Sequence, residues 1–298
     1  MVRPPRKFRV GSAATLLLAL ASLMLTSSPP ARAADAIPGG NGHQTATING
    51  VPLQVFTYRP DGCAITGMLL VFHGLGRNVE GYRNDAIPLG QRLCMLVVAP
   101  LFDEQRFPTW RYQRGGIVND GKLQPAQDWT VNFVPALVAW VRRQENRPDL
   151  PYDLIGHSAG AQFLSRVAAF VPLSATRIVI ANPSTWVLPS LDTPAPYGFG
   201  GVFPQPQAED ALHRYLAAPI TVLLGEEDTG SQDLADSKEA EAQGGTRLAR
   251  GQNAFHAAQA AAKQHGWPFN WRLALVPGVG HTARGMLGSK QAFDALAP

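Results

Sequence analysis

Tyr152-Asp-Leu-Ile-Gly-His-Ser-Ala-Gly-Ala-Gln-Phe163 is the stretch that decides how this chain folds. Its first four residues read as a buried strand. From Ala159 to Phe170 the sequence is Ala-rich, with Phe163, Leu164 and Val167 at helical spacing. Between them lies Gly156-His157-Ser158-Ala159-Gly160, a G-x-S-x-G pattern at a strand-to-helix turn. A serine at so sharp a turn sits in a strained backbone conformation. Glycines two residues to either side relieve the crowding and leave Oγ projecting. The helix that follows aims free N–H groups and its positive dipole end at the same place, which favours a developing oxyanion. A glycine-rich turn can instead cradle a phosphate, but the G-x-G-x-x-G spacing for that use is absent.

Working outward, short apolar runs recur at 67–72, 95–99, 152–155, 177–181, 220–224 and 271–276. Strands buried on both faces of a parallel sheet have this texture. Helical patterns fill the gaps at 129–147, with Val131, Val134, Val138 and Val141 as a stripe, and at 159–170, 247–265 and 286–296. Strands alternating with helices predict an α/β fold: a mostly parallel open sheet flanked by helices and joined by right-handed crossovers. Residues 43–49 and 52–58 alternate in polarity around Gly50 and predict an N-terminal antiparallel hairpin. Two stretches resist the scheme. Residues 101–121 carry Phe102, Phe107, Trp110 and Tyr112, and 182–215 is rich in Pro and Gly with Trp186, Tyr197 and Phe199. Long aromatic loops in a compact domain are often lids or binding loops. We therefore expect a lid-like insertion at 182–215, and Phe107, Trp110, Tyr112 and Trp186 as candidates for an apolar substrate subsite. Core packing is the alternative for each.

The first 33 residues have the layout of a secretory signal peptide: Arg3, Arg6, Lys7 and Arg9, an apolar run over 10–25, and Ala31-Arg32-Ala33 as a small-x-small cleavage site. The run falls short of the roughly 20 residues needed to span a membrane. The expected organisation is a signal peptide at 1–33 and one catalytic domain at 34–298, exported to the periplasm or beyond, with no stable membrane insertion after cleavage. Of 26 basic residues the leader holds five and no acid, which leaves 21 basic against 22 acidic residues in the remainder. A basic footprint for nucleic acid is missing. Cys63 and Cys94 are an even pair, each just ahead of a predicted parallel strand, and in an oxidising compartment they predict a disulfide, with two buried thiols as the alternative. They are too few for a metal site, and the chemistry expected here requires no cofactor.

A serine nucleophile needs a base, an acid and an oxyanion pocket. His73-Gly74-Leu75-Gly76 ends the first run of the parallel set, so the Leu75 N–H is the expected second oxyanion donor beside that of Ala159, and His73 shapes the turn. Of the four histidines after Ser158, His213, His256 and His265 fall in helical or amphipathic stretches. Only His281 follows a buried strand, in the loop Val276-Pro-Gly-Val-Gly-His281. The acid comes from Leu224-Gly-Glu226-Glu227-Asp228, again directly after a strand. Asp228 is the choice, with Glu226, Glu227 and Asp233 as alternatives. The D-x-[DN]-x-[DN]-G pattern of a calcium loop is absent.

Together these elements resemble the α/β-hydrolase superfamily over essentially the whole of 34–298. Within it the chain is similar to secreted esterases related to poly(3-hydroxybutyrate) depolymerases and feruloyl esterases. The matching pieces are His73-Gly74, Gly-His-Ser158-Ala-Gly, Gly225-Glu-Glu-Asp228 and Gly280-His281. The resemblance implies that Ser158, Asp228 and His281 form a triad for hydrolysis of small-molecule or polymeric esters. A peptidase or amidase on the same fold, or a binding protein that keeps the fold without the chemistry, are its rivals.

Overall fold

A computed structural model describes residues 1–5, 7 and 36–298. Most of the leader, including its apolar run and the 31–33 cleavage site, lies outside the described residues. The chain from Ala34 to Pro298 forms one compact unit.

Strands β1 (Gly40–Ile48) and β2 (Val51–Arg59) make the expected hairpin. Its two-residue turn is Asn49-Gly50, both with positive φ (49° and 77°), the conformation that matches the twist of the flanking strands. There follow β3 (Gly67–Phe72), α1 (Val79–Leu93), β4 (Met95–Pro100), the small ribbon β5 (Val118–Asn119) with β6 (Lys122–Leu123), and α2 (Phe133–Gln144). Next come β7 (Tyr152–His157), α3 (Ala159–Phe170), β8 (Arg177–Ala181), α4 (Gln205–Ala217), β9 (Ile220–Gly225), α5 (Lys238–Glu241) and α6 (Arg247–His265). The chain ends with β10 (Arg272–Val276), α7 (Ala283–Leu287) and α8 (Lys290–Leu296). The main sheet runs β1-β2-β4-β3-β7-β8-β9-β10. β1, β2 and β4 pair antiparallel, and all pairs from β4 to β10 are parallel. Strands β3, β4, β7 and β9 are buried along their whole length, as the unbroken apolar runs require.

Two helical expectations are corrected. The pattern at 129–147 is a helix only from Phe133. Residues 126–128 and 130–132 are 3₁₀ turns, and Trp129 between them is held by its indole N–H on the Gln124 carbonyl. The pattern at 286–296 is two helices, because Ser289 caps α8 by accepting from the Ala292 N–H and breaks the run after Gly288. The disulfide is present: Cys63 and Cys94, with Cα atoms 6.0 Å apart, join the segments leading into β3 and β4. Closing a loop of this length is worth about 3–4 kcal/mol in the chain-entropy account. Among the described residues no helix is long and apolar enough to cross a membrane.

The topology has a direct consequence for function. Ser158, Asn182, Asp228 and His281 all follow the C-terminal ends of the neighbouring strands β7, β8, β9 and β10, and His73 to Leu75 follow β3 on the other side of β7. That edge is where open parallel sheets bind ligands.

Candidate active site

Ser158 has φ 57° and ψ −118°, a left-handed backbone position that costs a non-glycine residue of order 1–3 kcal/mol. The turn is held by the Ser158 N–H on the Ala181 carbonyl (3.0 Å) and by the Gln162 N–H on the Ser158 carbonyl (3.0 Å). The flanking glycines are required for the steric reason read from the sequence. A Cβ on Gly156 would lie 2.5 Å from the Gly160 carbonyl oxygen, and one on Gly160 would strike the carbonyls of Phe72 and His73. As the first residue of α3, Ala159 has an N–H with no helical acceptor.

The turn after β3 lies against this serine: a Cβ on Gly74 would be 3.7 Å from the Ser158 Cβ. Neither the Leu75 nor the Ala159 N–H takes part in the turn and cap hydrogen bonds. His73 shapes the turn from within. Its Nδ1–H donates to the Gly74 carbonyl (2.9 Å), and its Nε2 accepts from the Phe102 N–H (3.1 Å). Burial lowers its pKa from 6.5 to about 4, so the ring is neutral in this arrangement.

The aromatic residues of 101–121 prove to be the support for that turn. Tyr112 is fully buried and donates its hydroxyl to the His73 carbonyl (2.8 Å). Phe102 stacks on Tyr112 and meets Phe107 edge-on, and both Phe102 and Tyr112 pack on Phe163 of α3. Phe107 and Tyr112 are therefore corrected from substrate contacts to core, since they have no surface left to offer. Trp186 is corrected likewise. It is wholly buried near Trp271, and its backbone is paired on both sides with the Gln243 amide. Trp110 alone of the four is only half-buried. The 182–215 insertion is packed rather than free. Trp186, Val187, Tyr197 and Phe199 point inward, and the buried Arg166 of α3 binds the carbonyls of Thr185 and Pro196.

Asp228 and His281 lie side by side after the ends of β9 and β10. His281 donates Nδ1–H to Asp228 Oδ2 (2.7 Å), so its Nε2 accepts from Ser158 Oγ at 2.9 Å. Asp228 is buried, whereas Glu226, Glu227 and Asp233 are exposed. The loop bearing His281 must run back across the end of β9 to reach Ser158. Gly225 permits this, because a Cβ there would occupy the position of the Val279 carbonyl.

Three contributors escaped the sequence reading. Asn182, at φ 49° after β8, accepts the Gly225 N–H on Oδ1 (2.9 Å) and donates Nδ2 to the Gly280 carbonyl (3.4 Å), tying the acid strand to the base loop. An Asn directly after an apolar run, where a left-handed residue ends a strand, is the signal that could have found it. Arg247 reaches Asp228 Oδ1 at 3.4 Å. It continues the apolar stripe of Gly251, Ala254, Ala258 and Ala262 on α6, where a cation is out of place. Tyr82 of α1 hydrogen-bonds His157 Nδ1 (2.9 Å) beneath the base, with the His157 and His281 rings 4.7 Å apart. Burial, with the charges of His281 and Arg247 nearby, pushes the His157 pKa far below its usual value and holds the ring neutral. Among the described residues no cluster of metal-ligating side chains is found.

The geometry is that of a serine hydrolase on an α/β-hydrolase sheet. Comparison with solved structures narrows this. The chain is similar to LpqC, a poly(3-hydroxybutyrate) depolymerase from Bordetella parapertussis, with 33% identity, 84% of this chain and 88% of that one covered, and a TM-score of 0.78. It is equally similar to poly(aspartic acid) hydrolase-1 from Sphingomonas sp. KT-1, with 32% identity, 85% and 98% coverage, and a TM-score of 0.79. A Pyrobaculum calidifontis esterase at 15% identity, 86% and 83% coverage, and a TM-score of 0.51 shares the fold. No protein-family model and no curated protein matches the chain. The chain belongs to the α/β-hydrolase superfamily and, within it, to the family of LpqC and poly(aspartic acid) hydrolase-1. It is an enzyme of the serine-hydrolase type, as its likeness to LpqC and poly(aspartic acid) hydrolase-1 indicates.

Proposed function

We propose that residues 34–298 are an exported carboxylic ester hydrolase working through an acyl-enzyme on Ser158, with His281 as general base, Asp228 as its orienting acid, and the Leu75 and Ala159 N–H groups as the oxyanion pocket. The observation that carries this reading is the unbroken relay from Ser158 Oγ to His281 Nε2 and from His281 Nδ1 to the buried Asp228. Ser158 Oγ attacks the ester carbonyl carbon while its proton passes to His281 Nε2. Asp228 stabilises the imidazolium. The oxyanion is held by the two N–H groups, each worth roughly 3 kcal/mol. The C–O bond then breaks, and the alcohol leaves with the proton from His281. Water repeats the sequence, giving its proton to His281 and its oxygen to the acyl carbon, and Ser158 regains its hydrogen.

The Arg-rich leader, its apolar run and the Ala31-Arg32-Ala33 site support export, and the disulfide fits an oxidising compartment. Polyesters are the substrate class favoured by the likeness to LpqC, with aromatic esters as the alternative and the half-buried Trp110 as the candidate apolar contact. A second reading, amide cleavage, is favoured by the equal likeness to poly(aspartic acid) hydrolase-1.

The deciding experiment compares protein starting at residue 34 with Ser158→Ala on p-nitrophenyl acetate, butyrate and octanoate, and then on poly(3-hydroxybutyrate) and poly(aspartate). Ester turnover lost by at least about 10³-fold in the variant supports the reading. Activity surviving in the variant removes Ser158 as nucleophile. Cleavage of poly(aspartate) in preference to every ester replaces the ester assignment by the amide one.

A further inference from the structure

Asp228 has two oxygens and only one is used by the base. Oδ2 accepts from His281, and Oδ1 faces Arg247 Nη1 at 3.4 Å. Among the described residues no other donor reaches either oxygen. The acid and the guanidinium are both almost completely inaccessible, with side chains 1% and 2% exposed. A fold gains little from such a burial. Desolvating a carboxylate and a guanidinium costs several kcal/mol per ion, and an apolar pair of the same volume often serves stability as well or better.

Arg250, one turn further along α6, shows what a purely structural arginine looks like in the same surroundings. It is equally buried, and its Nε and Nη1 donate to the carbonyls of Gly244 (2.7 Å), Ser184 (2.7 Å) and Ala235 (2.9 Å). It touches no carboxylate. Arg247 is less well satisfied. Its Nη2 donates to the Gln232 carbonyl (2.5 Å), and its Nε is buried without a partner. The side chain forgoes a hydrogen bond in order to place Nη1 against the acid.

We propose that Arg247 is a positioning residue for the acid–base pair, holding the Asp228 carboxylate in the orientation that aims Oδ2 at His281 Nδ1. This rests on the triad reading above. The carboxylate is otherwise free to turn about its own bond and to exchange His281 for water, because no backbone N–H holds Oδ1. With Arg247 in place the carboxylate is anchored at both ends, and the base keeps the tautomer that leaves Nε2 open to the serine proton. The defect on removing it should therefore fall on kcat, with KM little changed, since Arg247 lies behind the acid and away from Ser158.

The same corner offers a chemical test. A cavity of about 370 Å³ is lined by Glu227, Asp228, Gly230, Gln232, Asp233, Arg247 and His281. Truncating Arg247 enlarges it beside the Asp228 carboxylate, and the exposed Glu227 and Asp233 draw small cations towards it.

The experiment measures p-nitrophenyl butyrate hydrolysis by Arg247→Ala, Arg247→Lys, Arg250→Ala and Asp228→Asn, with rates expressed per folded enzyme. Arg247→Ala should lose about 10–100-fold in kcat, part of the 10²–10⁴-fold that general-base assistance supplies, with KM within about twofold. Arg247→Lys should be intermediate. Millimolar methylguanidinium should recover several-fold activity in Arg247→Ala and nothing in Arg250→Ala. In an Asp228→Asn background, Arg247→Ala should cost little more. Wild-type kcat in folded Arg247→Ala, or a loss that persists in full beside Asp228→Asn, overturns the proposal. Should Arg247→Ala not fold, the near-isosteric neutral Arg247→Met decides: wild-type kcat with a carboxylate still required overturns it. An Asp228→Asn enzyme at the wild-type rate would instead sink the triad reading itself.

Discussion

The two halves of the site are built from opposite materials. The turn after β3, proposed to carry the oxyanion donor, rests on an aromatic plug: Phe102, Phe107, Tyr112 and Phe163, with neutral His73 at its centre and backbone groups as its hydrogen-bond partners. The acid loop after β9 rests on buried charge, with Arg247 on Asp228 and on the Gln232 carbonyl, and Arg250 on three more carbonyls. The difference follows from what each half must hold. An oxyanion donor is a backbone N–H, so rigid packing of the chain is enough to aim it. An acid is a charged side chain, and packing alone cannot prevent a carboxylate from turning. It needs a charged partner.

The strongest blow to this picture of the first half should come from Gly160→Ala. The added methyl meets two backbone carbonyls that belong to the packed β3 end and have nowhere to go. A loss of at least about 3 kcal/mol in urea-induced unfolding, or no soluble protein, is expected, at the upper end of what overpacking costs. Wild-type stability would mean that the nucleophile turn is far more compliant than its packing indicates.

Acid should also separate the halves. His73 has a folded pKa of about 4 against 6.5 in the unfolded chain. Between those values the unfolded state binds the extra proton, so the stability carried by neutral His73 is complete above pH 6.5 and drains away as pH falls towards 4. The loss can reach about 3 kcal/mol. His157 titrates in the same direction and adds to it. Unfolding free energies at pH 7.5 and 4.5 for the wild type and His73→Gln should show a shallower pH dependence in the variant. Equal slopes would remove His73 as the titrating support of the turn.

The smallest and sharpest comparison is Tyr112→Phe. It keeps the ring in the plug and deletes only the hydroxyl on the His73 carbonyl. About 1 kcal/mol of stability should be lost, with kcat reduced several-fold because the loosened turn aims its N–H less well. A fall in stability with kcat untouched would show that the plug supports the fold but not the donor.

How much of this was readable in advance depended on range. The main strands, the hairpin and the serine turn announce themselves in short local patterns, as do the positions proposed for the triad, Ser158, Asp228 and His281, since each lies within a few residues of the glycine or apolar run that betrays it. The aromatics did not. Phe107, Tyr112 and Trp186 have the composition of a substrate pocket, and only their neighbours, Phe133 of α2, Phe163 of α3, and Gln243 and Trp271 beside Trp186, show that they are covered. Arg247 and Asn182 act across long stretches of chain, on Asp228 and Gly280, and nothing beside them in the sequence names those partners.

By itself the sequence determined the order of the main-sheet strands, the serine turn and the residue types available for acid and base, while α1 and α4, the latter largely within the expected insertion at 182–215, went unread. Its authority ends where contacts are made between segments. Backbone sterics and hydrophobic periodicity act within about ten residues and leave their mark in the text of the chain. Burial and charge pairing depend on which segments meet in space. Only the tertiary structure decided that Asp228, among four acids, is the one enclosed beside Arg247, and that Phe102, Phe107 and Tyr112 face inward while Trp110 does not, because desolvation is a property of the packed neighbourhood.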